Sequence, residues 1–111
     1  MDNKHRATNF LTLVAQGDIA RAFDTYVDTA MQHHNKYTQP GAQHLQRGME
    51  ENHKQFPNKK LTIKHVIGEG DFVAVHSRME LDSEKQFTVV HIVRFENHKI
   101  VELWDVAQPA S

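Results

Sequence analysis

Hydrophobic side chains in the first quarter of the chain recur at the spacing of helices. The apolar positions of the first helix follow an i, i+3, i+4, i+7 pattern and are Ala7, Phe10, Leu11 and Val14. Gly17 is typical of a helix C-terminus, and Asp18 is a candidate N-cap of a second helix. The apolar face of that second helix consists of Ile19, Ala22, Phe23, Tyr26 and Val27. The pattern predicts two helices joined by a tight turn.

The middle of the chain is more polar. Residues 30–37 show no regular spacing, and the Gln-Pro-Gly sequence at 39–41 is a turn signal. A third helix is predicted over residues 42–56, followed by Pro57. Its inward positions are expected to be Ala42, Leu45, Met49 and Phe56.

From residue 61 the hydrophobic period changes from 3.6 to 2, which is the period of β-strands. Four strands are predicted, over residues 61–68, 72–81, 86–95 and 99–107. The segments between them are short enough to be hairpin loops, so we expect an antiparallel meander. Helices followed by strands predict an α+β fold with one domain, residues 1–111. The helices should pack on one face of a curved antiparallel sheet.

The predicted strand at 86–95 is apolar on both of its faces. Phe87 and Val89 point to one side, and Val90 and Ile92 point to the other. Three helices can cover only one face of such a sheet, so we expect a homodimer through the open face. The alternative is a strongly coiled sheet that covers itself.

Composition limits the possible functions. The chain of 111 residues has 13 Lys and Arg against 14 Asp and Glu, a net charge of −1 at pH 7, and no Cys. The balanced charge argues against a nucleic-acid partner, and the lack of Cys excludes disulfides and thiolate chemistry. No apolar run is long enough to span a bilayer, and the polar N-terminus does not resemble a signal peptide. We therefore expect a cytoplasmic protein with no membrane partner.

The last predicted hairpin contains two polar residues whose relation depends on the length of its loop. With a two-residue loop, Val90 would pair with Asp105, and His91 and Asp105 would lie on opposite faces. With a three-residue loop, Val89 would pair with Asp105 and His91 with Leu103, so His91 and Asp105 would be diagonal neighbours on one face. We favour the three-residue loop.

A polar group on an apolar face would follow from that register. If the preceding loop has two or four residues, His76 pairs with His91 and joins the same face as Asp105. Burial raises the pKa of a carboxyl group, which is how a general acid or base near neutral pH arises. Asp105 and His91 are therefore candidate catalytic residues, and His76 is a candidate substrate-binding residue. The alternative is a solvent-exposed face, since Arg78 and Glu80 share its parity.

Further candidates lie at and after the end of the second helix. His34 is a candidate substrate-binding residue, because polar loop residues beside a scaffold often contribute to sites. Tyr26, near the end of the second helix, is a further candidate substrate-binding residue. There is no His-Glu-x-x-His motif or similar set of ligands, so we expect no metal ion. The alternative is a ladder of His65, His76 and His91 that binds zinc by accident of strand pairing.

The order of elements and four motifs resemble the SnoaL-like polyketide cyclase family of the nuclear-transport-factor-2-like (NTF2-like) superfamily, and in particular members predicted to catalyse aldol condensation. The motifs are Gln-His-His-Asn at 32–35, Glu-Gly-Asp-Phe-Val-Ala-Val-His at 69–76, Arg-Phe-Glu-Asn-His-Lys-Ile-Val-Glu at 94–102 and Trp-Asp-Val-Ala-Gln at 104–108. The resemblance implies a cone-like barrel. It also implies an acid–base Asp on the last strand, here Asp105, that acts without metal or cofactor, with His91 as its polar partner. The relatives carry Asp at the position of His91 and His at the position of Leu103.

These observations leave three hypotheses about function. In the first, an enzyme binds a small hydrophobic carbonyl compound, Asp105 removes an α-proton, and His91 or His34 stabilises the enolate oxygen. In the second, the same pocket binds a small hydrophobic ligand without turnover. In the third, the chain is an assembly domain whose main output is the dimer.

Overall fold

The computed structural model describes residues 1–37 and 39–110, which form three helices and five strands. The helices are α1 (Asn3–Gln16), α2 (Ile19–Tyr26) and α3 (Ala42–Gln55). The strands are β1 (Val27–His34), β2 (Lys60–Glu69), β3 (Phe72–Glu80), β4 (Gln86–Glu96) and β5 (Lys99–Pro109). The strand order in the sheet is β1-β5-β4-β3-β2. The three predicted helices and the four predicted strands are confirmed, with end points that shift by a few residues.

The residues at the ends of α1 and at the start of α2 are Asp2, Gly17 and Asp18. Gly17 ends α1 as the sequence predicts, whereas Asp18 does not cap α2 with its side chain. Asp2 caps α1, because its carboxylate accepts the backbone N–H of His5 at 2.9 Å. Gly17 ends α1 in the left-handed conformation, with φ of 91°. Asp18 precedes α2, but its side chain makes no capping hydrogen bond. Its backbone carbonyl accepts the Ala22 N–H instead.

The hydrophobic core lies between the helices and one face of the sheet, which we call the inner face. Phe10 of α1 and Phe23 of α2 meet edge to face, with ring centroids 5.5 Å apart. Completely or almost completely buried side chains of the inner face are Val73, Val75, Val93, Phe95, Ile100 and Leu103. Burial of these large apolar groups is the main free energy that holds helices and sheet together.

The first strand, β1, is an element that sequence reasoning missed. Residues 30–37 were expected to be irregular, but β1 continues to His34 and pairs in parallel with β5. The sheet is therefore mixed, not purely antiparallel. Only Val27, Met31 and His33 are buried along β1, and its pairing shifts between Val27 and Gln32. This irregular burial hides the period of 2 that identifies a strand.

The loop between β3 and β4 also differs from the expectation. It contains five residues, 81–85, so Glu80 pairs with Gln86 and Val75 pairs with His91. The expected pairing of His76 with His91 is wrong, because an odd loop length reverses the parity of one strand relative to the other. His76 therefore lies on the opposite face of the sheet from His91.

The β4–β5 hairpin follows neither of the two registers considered above. Its turn has two residues, Asn97 and His98, both with positive φ (49° and 68°), and such a turn matches the twist of the flanking strands. The favoured three-residue loop is wrong. An extra residue in β5 then shifts the register, since Phe95 pairs with Ile100 but Arg94 pairs with Glu102.

That bulge decides the relation of the two candidate catalytic residues. Beyond it, His91 pairs directly with Asp105, and Leu103 pairs with Val93 instead of His91. His91 and Asp105 thus share a face, as expected, but as direct partners rather than diagonal neighbours. Residues that pair directly across antiparallel strands have Cβ atoms about 4.5–5.5 Å apart.

The second face of the sheet, which we call the outer face, carries apolar side chains that the helices do not cover. Phe72 is 44% exposed, Ile92 38% and Val106 68%. Trp104 lies on the same face, where its ring is 6.2 Å from that of Phe72. Among the described residues, no helix has the length and apolar character needed to cross a membrane.

Candidate functional site

A cavity of about 440 Å³ lies between the inner face, α1 and α3. Its apolar wall is formed by Leu11, Val14, Leu45, Met49, Leu61, Met79, Leu81, Phe87, Val89 and Ala107. The polar residues that line it are His33, Asn35, Asn52, Lys59, His91 and Asp105. An apolar cavity of this size with a few convergent polar groups is typical of a site for a small molecule.

Asp105 of β5 is the carboxylate of this cavity, and β1 supplies its partners. Asn35 Nδ2 donates to Asp105 Oδ1 at 2.6 Å, and His33 Nε2 lies 3.0 Å from Asp105 Oδ2. Burial acts to raise the pKa of Asp105, but the hydrogen bonds from His33 and Asn35 outweigh it and lower the pKa below its usual 3.8. The expected raised pKa is therefore wrong. Asp105 is ionised at neutral pH, so its oxygens accept and His33 Nε2–H donates.

His91 of β4 is the direct partner of Asp105 across the strands and is only 9% exposed. Burial lowers the pKa of His91, although the charge of Asp105 acts in the opposite direction. The ring is therefore neutral at pH 7. Among the described residues, none forms a hydrogen bond with its buried Nδ1 atom. A buried polar atom without a partner costs free energy.

The three predicted substrate-binding residues lie outside the cavity. His34 is on the outer face, where its ring stacks on Trp104 with centroids 4.8 Å apart. His76 is also on the outer face and contacts His65. The Tyr26 hydroxyl accepts a hydrogen bond from Asn9 at 3.2 Å within the helical layer. The expectation that these three side chains line the cavity is wrong. The cause is the reversed strand parity for His76 and the unpredicted strand β1 for His34.

His33 and Asn35 are the functional candidates that sequence reasoning did not select. They lie at alternate positions around His34, so the assignment of β1 as a strand would have placed both on the face opposite His34. Met31 and His33 are both buried, at the spacing of two that identifies a strand. This burial could not be inferred from the sequence, because it depends on β5 lying beside β1.

Potential metal ligands are sparse in the described part of the chain. No group of three or more His, Asp or Glu side chains in residues 1–37 and 39–110 is arranged to hold a metal ion. His65 and His76 form a pair, with their Nδ1 atoms 2.9 Å apart. His91 lies on the other face, so the ladder of three His residues does not form.

Comparison with known proteins assigns the chain to a family. A profile of the SnoaL-like domain matches residues 7–103. The chain belongs to the SnoaL-like family. No curated protein matches the chain, so the assignment comes from the family profile.

Three solved structures illustrate the fold that this SnoaL-like chain shares. AclR of Streptomyces galilaeus, a proposed hydroxylase, has 20% identity over 96% of this chain and 88% of AclR, with a TM-score of 0.82. IdmH of Streptomyces antibioticus, a proposed polyketide cyclase, has 14% identity over 97% of this chain and 93% of IdmH, with a TM-score of 0.80. An NTF2-like protein of unknown function from Cytophaga hutchinsonii has 13% identity over 97% of this chain and 91% of its own, with a TM-score of 0.79.

These similarities confirm the predicted α+β fold of the NTF2-like type. At such low identity they establish the fold alone, and one fold supports many different activities. The function of this chain must therefore be argued from its own cavity.

Proposed function

We propose that this chain is a cofactor-free enzyme that carries out acid–base chemistry on a small, mainly hydrophobic carbonyl compound, of the aldol, cyclase or isomerase type. One observation supports the proposal above all others. A neutral imidazole and an ionised carboxylate, His91 and Asp105, are direct cross-strand partners in the wall of an apolar cavity. General acid–base catalysis needs a proton-transferring side chain held beside the reacting atoms, and a second polar group can stabilise the charge that develops.

Asp105 is the base in this proposal. Its two oxygens offer about four lone-pair sites, and the contacts with His33 and Asn35 use two of them. The lowered pKa of Asp105 makes it a weak base. It therefore requires a substrate whose C–H bond is already acidic, and a carbon between two carbonyl groups meets that requirement. The substrate class proposed is a small 1,3-dicarbonyl compound with an apolar body.

His91 stabilises the enolate oxygen that forms when the proton leaves. A neutral ring can donate one N–H hydrogen bond without first losing a proton, and His91 lines the cavity. Hydrogen-bond donors aimed at developing charge in a site that excludes water contribute strongly to catalysis. His34, the other residue considered for this role, lies on the outer face and is not part of the proposal.

Hydrogen–deuterium exchange tests the proposal without knowledge of the full reaction. A small aryl 1,3-diketone is incubated with the protein in D₂O, and NMR follows the loss of its central C–H signal. We expect the chain to accelerate exchange over buffer, and Asp105→Asn to reduce that acceleration by about 10²- to 10⁴-fold. The matched control is Asp24→Asn, because Asp24 is an exposed carboxylate of α2. Equal rates for wild type, Asp105→Asn and buffer would contradict the proposal.

Binding without turnover is the second candidate function, and one observation favours it. Both oxygens of Asp105 already accept hydrogen bonds, so the carboxylate serves to hold His33 and Asn35 in place. In that case the diketone raises the melting temperature of the protein but its exchange rate equals that in buffer. The two functions are therefore distinguished by the same probe in two measurements.

The proposal includes a homodimer formed through the outer face. Its centre is apolar, with Phe72 and Ile92 exposed. Ion pairs and hydrogen bonds flank that centre, including Arg94 with Glu102 at 2.6 Å and Arg78 with Gln86. An apolar centre with a polar rim is typical of protein interfaces, and a second copy offers the same arrangement about a two-fold axis.

A further inference from the structure

Lys59 is a buried cation in the wall of the same cavity, and the proposed reaction gives it no role. It lies in the turn between α3 and β2, where its backbone N–H donates to the Phe56 carbonyl at 3.3 Å. Only 9% of the residue is exposed. Lysine is almost never buried to this extent without a partner for its charge.

The position of the Lys59 side chain is determined by the contact between α1 and α3. Lys59 Nζ lies 3.1 Å from His53 Nδ1 of α3. The His53 ring in turn packs directly against Gly17, the left-handed residue that ends α1, and leaves no space there for a side chain. Contacts between α3 and the end of α1 thus fix the His53 imidazole, whose Nδ1 accepts a hydrogen bond from the Lys59 ammonium group.

Lys59 forms no ion pair within the described part of the chain. In residues 1–37 and 39–110, no carboxylate lies within 4.0 Å of its Nζ. Burial accordingly lowers the pKa of the Lys59 ammonium group. The carboxylate of the cavity, Asp105, is already bonded to His33 and Asn35. A buried charge is favourable only when it is paired, so an anionic ligand group would improve the energy of this site.

Strand register places Lys59 far from the candidate catalytic pair. Leu61 pairs with Met79, and Met79 pairs with Phe87. Lys59 precedes Leu61 by two residues, whereas His91 follows Phe87 by four. At a rise of about 3.3 Å per residue, Phe87 and His91 are roughly 13 Å apart along β4. The cavity therefore extends between a cationic end and an acid–base end.

We propose that Lys59 binds an anionic group of the ligand, so that the cavity takes an elongated carboxylic acid with a 1,3-dicarbonyl group at its other end. Its carboxylate pairs with the Lys59 ammonium, an apolar chain several carbons long crosses the cavity, and the 1,3-dicarbonyl group lies beside His91 and Asp105. The assignment of the carbonyl end rests on the proposed function, but the anionic subsite can be tested independently of any reaction. A charge-assisted hydrogen bond in a mostly apolar cavity selects strongly for the ionised ligand.

The test compares an ω-benzoylalkanoate with its uncharged primary amide by calorimetric titration. The wild-type chain is expected to bind the acid at least about tenfold more tightly than the amide, which corresponds to about 1.4 kcal/mol. Lys59→Met should remove that preference and leave the affinity for the amide unchanged. Lys60→Met is the matched control, because Lys60 is the exposed neighbour in sequence, and it should retain the preference.

Three results would overturn the inference: no preference for the acid in the wild type, a preference that persists in Lys59→Met, or no binding of either probe at millimolar concentration. Lys59→Gln is the second variant if Lys59→Met does not fold. Asp105→Asn is expected to retain the preference for the acid. Loss of deuterium exchange therefore contradicts the proposed enzyme, whereas loss of acid preference contradicts the anionic subsite.

Discussion

The two faces of the sheet carry the same kinds of polar side chain in opposite environments. His33 and His34 are neighbours in β1, yet the side chain of His33 is 2% exposed and bonded to Asp105, whereas that of His34 is 44% exposed and bonded to Glu102. Each imidazole pairs with a carboxylate at a similar distance, 3.0 and 2.9 Å. The two imidazole–carboxylate pairs, one on each face, thus have nearly the same chemistry and the same distance.

The difference lies in what controls ionisation. On the outer face the pKa of Glu102 is lowered mainly by its hydrogen bond with Arg94, and then by that with His34. Solvent and salt screen such exposed pairs, so they contribute little to stability. On the inner face burial is the dominant influence on the pKa of His91 and opposes ionisation of Asp105. Burial therefore strongly affects ionisation on the inner face, whereas solvent and salt screen the polar side chains of the outer face.

The largest expected contrast between the faces is in packing. Leu103 is completely buried on the inner face, and Val106 is 68% exposed on the outer face. Leu103→Ala should lower the free energy of unfolding by about 2–5 kcal/mol, because it leaves a cavity in the core. Val106→Ala should change it by no more than about 0.5 kcal/mol. Urea denaturation at low protein concentration measures both, and equal losses would contradict the division into two faces.

A smaller contrast is expected in the pH dependence of stability. The pKa of His91 in the folded chain lies below its usual 6.5, so the unfolded chain binds the proton more tightly. The stability due to the neutral ring is complete above about pH 6.5 and is lost as the pH falls toward the lowered value. The slope for one proton is at most about 1.4 kcal/mol per pH unit.

One substitution isolates the contribution of His91. His91→Gln should reduce the slope of unfolding free energy between about pH 7 and pH 5, because it removes the ring whose pKa the fold lowers. Urea denaturation at each pH measures the slope. Asp105 does not interfere, because its lowered pKa places its contribution below pH 3.8. An unchanged slope in His91→Gln would show that the buried ring is not responsible.

The smallest expected effect concerns the association of two copies through the outer face. Ile92→Lys places a charge at the centre of the exposed apolar region and should weaken the dimer at least about tenfold, or about 1.4 kcal/mol. Tyr37 is 83% exposed in the loop after β1, so Tyr37→Lys is the control and should leave association unchanged. Analytical ultracentrifugation measures both variants. A wild-type chain that is monomeric at all concentrations would contradict the proposed interface.

Much of the fold was predictable because its hydrophobic periods are regular. The three helices and strands β2 to β5 follow spacings that depend only on residues close in sequence. The strand β1 was not predictable in this way, because it pairs with β5, about 70 residues away, and buries side chains irregularly. The motif at 32–35 pointed to the correct segment but not to which of its two His residues faces the cavity.

The site was predictable only in part. The candidates Asp105 and His91 do line one cavity, although their catalytic roles stay predictions. His76 was misplaced because the β3–β4 loop has five residues, and the pKa of Asp105 was expected to rise because its partners His33 and Asn35 were not known. In the first case the missing information was the length of a hairpin loop, and in the second it was a contact between segments remote in sequence.

The amino-acid sequence by itself determined the helices, most of the strands and the family of the chain, because local periodicity and short motifs carry that information. Only the tertiary structure decided which side of the sheet each polar side chain faces. One bulge residue in β5 and one odd-numbered loop reverse the facing of every later side chain in a strand. No local pattern in the sequence records such a shift, yet it places His91 beside Asp105 and His76 on the outer face.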